Sequence, residues 1–251
     1  MKHIKFTCHP DLLGVKGIRP IPSKLDIPDW YKKLNKQMNE DPRNQSVKSC
    51  IPVLDSITNG YLLPLPQDLI IQHNVWVEKK KQYMEFVGFG HNISSDSNPI
   101  LAEYNLNENA AEHPPGQVGG KDSFLGKKNK GMGIPKILNP WKIETPSGYS
   151  CLFIPPMHRE MDYFQILPGI VDTDTFNLKI NFPFIINTDK YEKIDTVLRQ
   201  GTPYVQVIPF KRDNWKMQIG EQKNSLVKTV LHNLSVNDTY KRFSWNKKSY
   251  R

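Results

Sequence analysis

Cysteine is scarce in this chain: Cys8, Cys50 and Cys151 are the only three in 251 residues. An odd number at wide spacing builds neither a disulfide framework nor a zinc knuckle, so reduced thiols in an intracellular setting are expected. Long apolar runs are lacking as well. The best stretch, residues 61–71, is broken by Pro64 and Pro66 and falls short of the roughly 18 residues that a membrane helix needs. The opening residues, MKHIKFTCHPD, hold no apolar core of a secretion signal. Alanine occurs three times, against 20 Asn and 22 Ile, which is the bias of an AT-rich coding sequence. No internal repeat or low-complexity tract stands out.

What is present is ordinary globular material. The chain is 38% hydrophobic and 24% charged, which excludes a protein disordered throughout. Twenty prolines and 15 glycines disfavour a helical bundle and favour short segments joined by turns. The net charge of +9 can be located. Residues 121–136 contribute +4 through Lys121, Lys127, Lys128, Lys130 and Lys136 against Asp122. Residues 241–251 contribute +5 through Lys241, Arg242, Lys247, Lys248 and Arg251, with no acid. Two confined patches therefore carry the whole excess, the arrangement that attracts anionic partners.

Along the chain, residues 1–24 read as an extended arm or as a strand followed by a turn. The sequence Asp26-Ile-Pro-Asp-Trp predicts a helix capped by Asp26 and running to about Met38, with Trp30, Leu34 and Met38 on one face. A second helix is predicted over 47–59, with Cys50 in its core face and Gly60 as the stop. Residues 69–77 and 83–89 read as a hairpin across Lys79-Lys80-Lys81. Residues 92–135, rich in Gly and Pro, read as a long loop. Strands follow over 141–145, 149–154, 164–171, 178–186, 194–198 and 204–210, and helical spacing returns over 221–234. Short strands without intervening helices predict a mainly β (α+β) fold, an antiparallel β-sandwich or jelly-roll-like core with short N-terminal helices and a C-terminal helix. The expectation is a single domain over 1–251, with an arm and helices in 1–60, the β core in 61–212 and a C-terminal helix and basic aromatic tail in 221–251.

Several motifs are specific in combination. They are Pro20-Ile-Pro-Ser-Lys-Leu-Asp-Ile-Pro-Asp-Trp-Tyr, Ser49-Cys-Ile-Pro-Val-Leu-Asp-Ser-Ile-Thr-Asn-Gly-Tyr, and Asn139-Pro-Trp-Lys-Ile-Glu-Thr-Pro-Ser-Gly-Tyr-Ser-Cys-Leu-Phe. With Val171-Asp-Thr-Asp-Thr, Asn181-Phe-Pro-Phe and Gly201-Thr-Pro-Tyr-Val-Gln-Val-Ile-Pro-Phe-Lys-Arg, the chain resembles a family of uncharacterised proteins encoded by tailed, T4-like marine bacteriophages. The resemblance covers about residues 1–220. It implies a phage gene product, placed in the host cytoplasm or the virion, and brings no active site with it.

The residues themselves offer two function classes. The first is a non-enzymatic virion component or binding module. Its binding residues would be Lys121, Lys127, Lys128 and Lys130 in one patch, with Lys241, Arg242, Trp245, Lys247, Lys248 and Tyr250 in the other. The cations would neutralise an anionic ligand, a nucleic acid, or a phage or host protein, while the aromatics stack on bases. A tail folding its aromatics back onto its own domain is the competing reading. No membrane partner is expected, and a homo-oligomer is open. The second class is a jelly-roll oxygenase holding Fe(II) through His158, Glu160 and His232, with 2-oxoglutarate as co-substrate. In a chain with seven histidines and 25 acids, chance supplies a His-x-acid spacing roughly once, and His232 falls on the predicted helix. Other constellations are weaker. Gly148-Tyr-Ser-Cys lacks the second glycine of a nucleophile elbow, so Ser150 and Cys151 are expected in a packed strand. Asp172 and Asp174 could share a strand face for a cation, with a turn as the simpler reading.

Overall fold

The computed structural model describes residues 2–39, 41–89, 113, 115–129, 133–221 and 239–251. In chain order its strands are β1 (Lys5–Thr7), β2 (Ile21–Pro22), β3 (Gln37–Met38), β4 (Asp41–Gln45), β5 (Tyr61–Pro64), β6 (Leu69–Val77) and β7 (Gln82–Phe89). There follow β8 (Lys136–Leu138), β9 (Lys142–Glu144), β10 (Tyr149–Ile154), β11 (Gln165–Ile166), β12 (Gly169–Val171), β13 (Asn181–Ile185), β14 (Ile194–Leu198) and β15 (Pro203–Lys211). The pairs β1-β9, β10-β12, β10-β15, β11-β13, β13-β8, β14-β6, β15-β5, β3-β4 and β6-β7 are all antiparallel. The fold is mainly β with few short helices.

The chain divides into two compact units, one of Met1–Ile21 with Gly60–Lys211 and one of Pro22–Asn59 with Arg212–Arg251. In the first, sheets run in the orders β12-β10-β15-β5-β2, β11-β13-β8, β14-β6-β7 and β1-β9. Alternation explains how they share one core. On β6 the residues Leu69, Ile71, His73 and Val75 turn inward while their neighbours are only partly covered, the period-2 pattern of a half-buried strand. The core joins Leu63, Ile71, Ile137, Cys151, Phe153, Phe182, Phe184, Val205 and Val207, contributed by three of the sheets. Aromatic rings knit the sheets together, with Phe182 5.4 Å from Phe153 and edge-on to Tyr204 at 5.8 Å. A small second cluster seats Leu12 and Ile18 against Trp141, whose indole N–H donates to the Ile18 carbonyl at 3.1 Å.

The second unit holds the helices Asp29–Lys33 and Ile51–Thr58, the hairpin β3-β4 and the short helix Thr239–Phe243. Tyr31, buried, donates its hydroxyl to the Lys48 carbonyl at 3.3 Å, and Ser23 donates to the Asn59 carbonyl at 3.0 Å.

Three local expectations are corrected. The helix expected over 26–38 spans only Asp29–Lys33; Pro28, not Asp26, stands at its start, and Leu34 has extended backbone. Gln37 and Met38 instead pair with β4 across a turn at Asn39, whose φ is 53°. Hairpin pairing thus overrides the four-residue spacing, and Tyr31, not Trp30 or Met38, is the buried residue of this helix. Cys50 is exposed at the start of the helix Ile51–Thr58 instead of lying in its core face. Within 92–135 the described residues include a helix, Phe124–Lys128, so that stretch is not loop alone. The expected helix over 221–234 lies outside the described residues, apart from Glu221.

Candidate functional site

The two basic stretches belong to different units. The first is built around the helix Phe124–Lys128. Ser123 caps it by accepting from the Gly126 amide at 2.9 Å, as an N-terminal serine should. Asn129, fully buried, closes it: its side-chain oxygen accepts from the Ile186 amide at 2.7 Å and its amide donates to the Gly133 carbonyl at 3.0 Å. Gly126 is tight against backbone, since a Cβ there would lie 2.3 Å from the Gly120 carbonyl oxygen. Lys128 pairs with Asp189 at 3.1 Å, while Lys121 and Lys127 are exposed. Of this patch, then, one lysine is already engaged by the fold; Lys130 lies outside the described residues.

The second stretch is organised by one carboxylate. Asp55, on the helix Ile51–Thr58, accepts from the Trp245 indole N–H at 3.0 and 3.2 Å and from the Lys248 ammonium at 2.5 Å. That contact draws the Lys248 pKa upward. Trp245 is itself oriented by its backbone amide, which donates to the Tyr240 carbonyl at 2.9 Å. The tail is held by this pair, with Lys241, Arg242 and Lys247 exposed along it and Tyr250 half-buried. Trp245 is therefore partly committed to its own unit. Sequence reasoning missed Asp55, because nothing in its helix neighbours marks it as the partner of a residue 190 positions away.

The proposed iron ligands are placed less completely. His158 and Glu160 are both exposed, His158 with a φ of 60° in the turn after β10. His232 lies outside the described residues. Among the described residues no three His, Cys, Asp or Glu side chains gather to hold a metal ion. The two aspartates weighed for a cation are engaged in turn chemistry: Asp172 accepts from Ser150 Oγ at 2.6 Å and Asp174 from the Gly148 amide at 2.8 Å. Ser150 and Cys151 are fully buried in β10. Burial pushes the Cys151 thiol up to about 11, so it is protonated and inert as a nucleophile near neutral pH. Elsewhere on the first unit, Lys190 and Tyr191 both donate to Asp162, which holds that exposed carboxyl below its usual range.

No helix among the described residues is long and apolar enough to cross a membrane. No family model matches the chain, and no curated protein matches it. Among solved structures it is similar to a dUTPase mutant of Staphylococcus bacteriophage 80alpha solved with dUpNHpp. That match has 15% identity and a TM-score of 0.24, covering 37% of this chain and 68% of that one. A dUTPase mutant from phage phi11 of S. aureus matches at 13% identity and a TM-score of 0.24, covering 37% of this chain and 72% of that one. Likeness this slight leaves the fold to be read from the chain's own sheets, which make it a mainly antiparallel β protein.

Proposed function

We propose that the chain is a non-enzymatic bacteriophage protein, a virion component or binding module, whose basic aromatic tail meets an anionic partner. One observation carries the reading: Asp55 fixes the tail through Trp245 and Lys248 while Lys241, Arg242 and Lys247 stand exposed on the same short stretch. Anchoring lowers the entropy that a loose basic tail would lose on binding. Charge distribution supports it. Residues 22–59 and 212–251 hold 15 of the 34 basic and 8 of the 25 acidic residues, which is +7 of the net +9. The patch at 121–136 is the lesser contributor, because Lys128 is satisfied by Asp189. Phage origin rests on the motif combination in residues 1–220, and mass spectrometry of purified particles separates a virion part from a non-virion one.

The test uses fluorescence anisotropy with a labelled single-stranded DNA oligonucleotide over a salt series. Affinity is expected to fall steeply as salt rises, through counterion release. Alanine at Lys241, Arg242 and Lys247 together should flatten the logarithmic salt slope by roughly 2, about 0.7 per lost phosphate contact. Absence of binding at low salt, or an unchanged slope in the triple variant, overturns the nucleic-acid form of the proposal.

A further inference from the structure

The segment that follows β15 carries a pattern that the fold does not use. Residues 212–220 belong to no helix or sheet. Their order Trp215-Lys216-Met217-Gln218-Ile219 alternates apolar and polar, the period of a strand with one buried face. Yet Trp215 is 91% exposed, Met217 84% and Ile219 86%. Single exposed apolar residues are commonplace; three large ones in strand register, all but uncovered, mark a surface made to be covered.

The same chain offers a surface of matching kind. β7 ends the sheet order β14-β6-β7, so its outer edge pairs with no strand among the described residues. Edge strands are ordinarily guarded by lysine or proline. β7 (Gln82–Phe89) contains neither, and its one charge, Glu85, is taken up by His73 at 2.8 Å and by the Asn74 amide at 3.0 Å. It also displays Tyr83 and Phe86, and Trp76 of β6 stands edge-on to Tyr83 with ring centroids 5.2 Å apart. An unguarded edge with exposed aromatic rings is a template for an added strand.

We propose that residues 214–220 form an exchange arm that adds as a strand to the β7 edge of a second copy of this chain, laying Trp215, Met217 and Ile219 against the Trp76–Tyr83 pair. A second copy is the occupant because one sequence encodes both halves, the arm and the receiving edge, as a homo-oligomer requires. Charge agrees. Residues 214–220 carry a single charge, Lys216, and the flanking Arg212, Asp213 and Glu221 bring residues 212–221 to zero, so little net charge opposes the approach of two such segments. Area suffices: a tryptophan buries roughly 150–250 Å². With the other two side chains and the receiving surface, two reciprocal arms exceed the roughly 1,200 Å² of a specific interface.

The experiment is size-exclusion chromatography with light scattering on the full chain over a concentration series. The wild type should show at least twice the monomer mass of 29.0 kDa and shift toward that mass on dilution. Trp215→Asp with Ile219→Asp removes the arm, and Tyr83→Lys with Phe86→Lys removes the edge. Each double variant should run at 29.0 kDa and still melt in a single cooperative transition, which shows that it stays folded, because the changed side chains are exposed. Mixing the two variants restores one intact arm-edge pair and should restore association. A wild type that stays monomeric at every concentration overturns the proposal, as does either variant that keeps the oligomeric mass.

Discussion

Asp55 is a single carboxylate that organises eleven residues of tail. Its two donors, Trp245 and Lys248, are three residues apart, so one side chain fixes both the ring and the charge. Asp55→Ala should leave the β core intact and free the tail. Tryptic cleavage after Lys247 and Lys248 is expected to accelerate several-fold, with a red shift in the tryptophan emission. Asp55→Asn, which keeps an acceptor for the indole, should fall between the two. Buried residues give two further predictions. Cys151 has its pKa raised by burial from an ordinary 9.0 to about 11, so the unfolded chain loses this proton first. Its contribution is fully present below pH 9 and is lost as pH rises toward about 11, a loss of roughly 2–3 kcal/mol. Urea unfolding at pH 8 and pH 11 should show that extra loss in the wild type and not in Cys151→Ala. Tyr204 keeps its hydroxyl buried without a hydrogen-bond partner among the described residues. Tyr204→Phe should therefore stabilise the protein by about 1 kcal/mol in the same assay, since an unsatisfied buried hydroxyl carries a desolvation cost that phenylalanine lacks.

Elements meet at places where side chains have no room. Gly60 leaves the helix Ile51–Thr58 for β5 with a φ of 71°, and a Cβ there would lie 2.0 Å from the Val207 carbonyl oxygen. Both the left-handed backbone and the close approach to β15 demand glycine. Gly60→Ala should cost about 3 kcal/mol, read as a lower urea midpoint with an unchanged slope. The stop itself was legible in the sequence, as a glycine after an apolar helical stretch; the contact with β15 was not, because it joins residues far apart in the chain. The hairpin of β6 and β7 was legible for the same local reason, alternation on both sides of a lysine turn. Its bulge at Asn74, satisfied by Glu85, had no such signature. The first helix came out overlong because the spacing of Trp30, Leu34 and Met38 speaks for one helix face. Pairing of Gln37 and Met38 with β4 decided otherwise.

On the scale of the whole molecule, charge and apolar exposure are partitioned. The unit of Pro22–Asn59 with Arg212–Arg251 carries most of the net charge, and it also carries the uncovered Trp215, Met217 and Ile219. Ending the chain after Tyr240 removes five cations and no acid, lowering the net charge from +9 to +4. Such a variant should lose polyanion binding by at least an order of magnitude at low salt, given roughly three to five lost phosphate contacts. The melt of the β core should stay in place, since none of the residues removed belongs to the unit that holds that core.

The sequence by itself determined the fold class, because period-2 alternation, turn residues and the absence of intervening helices are local properties. It determined equally the size and position of the two basic stretches, since charge is a matter of counting. Tertiary structure decided which of those charges are taken and which are displayed. Asp189 occupies Lys128, and Asp55 occupies Lys248 and Trp245, while Lys241, Arg242 and Lys247 remain at the surface. It decided too that Cys50 faces solvent and that the arm after β15 lies uncovered. The physical reason is common to all of these. Burial and pairing depend on residues brought together from distant positions, whose meeting no local pattern records.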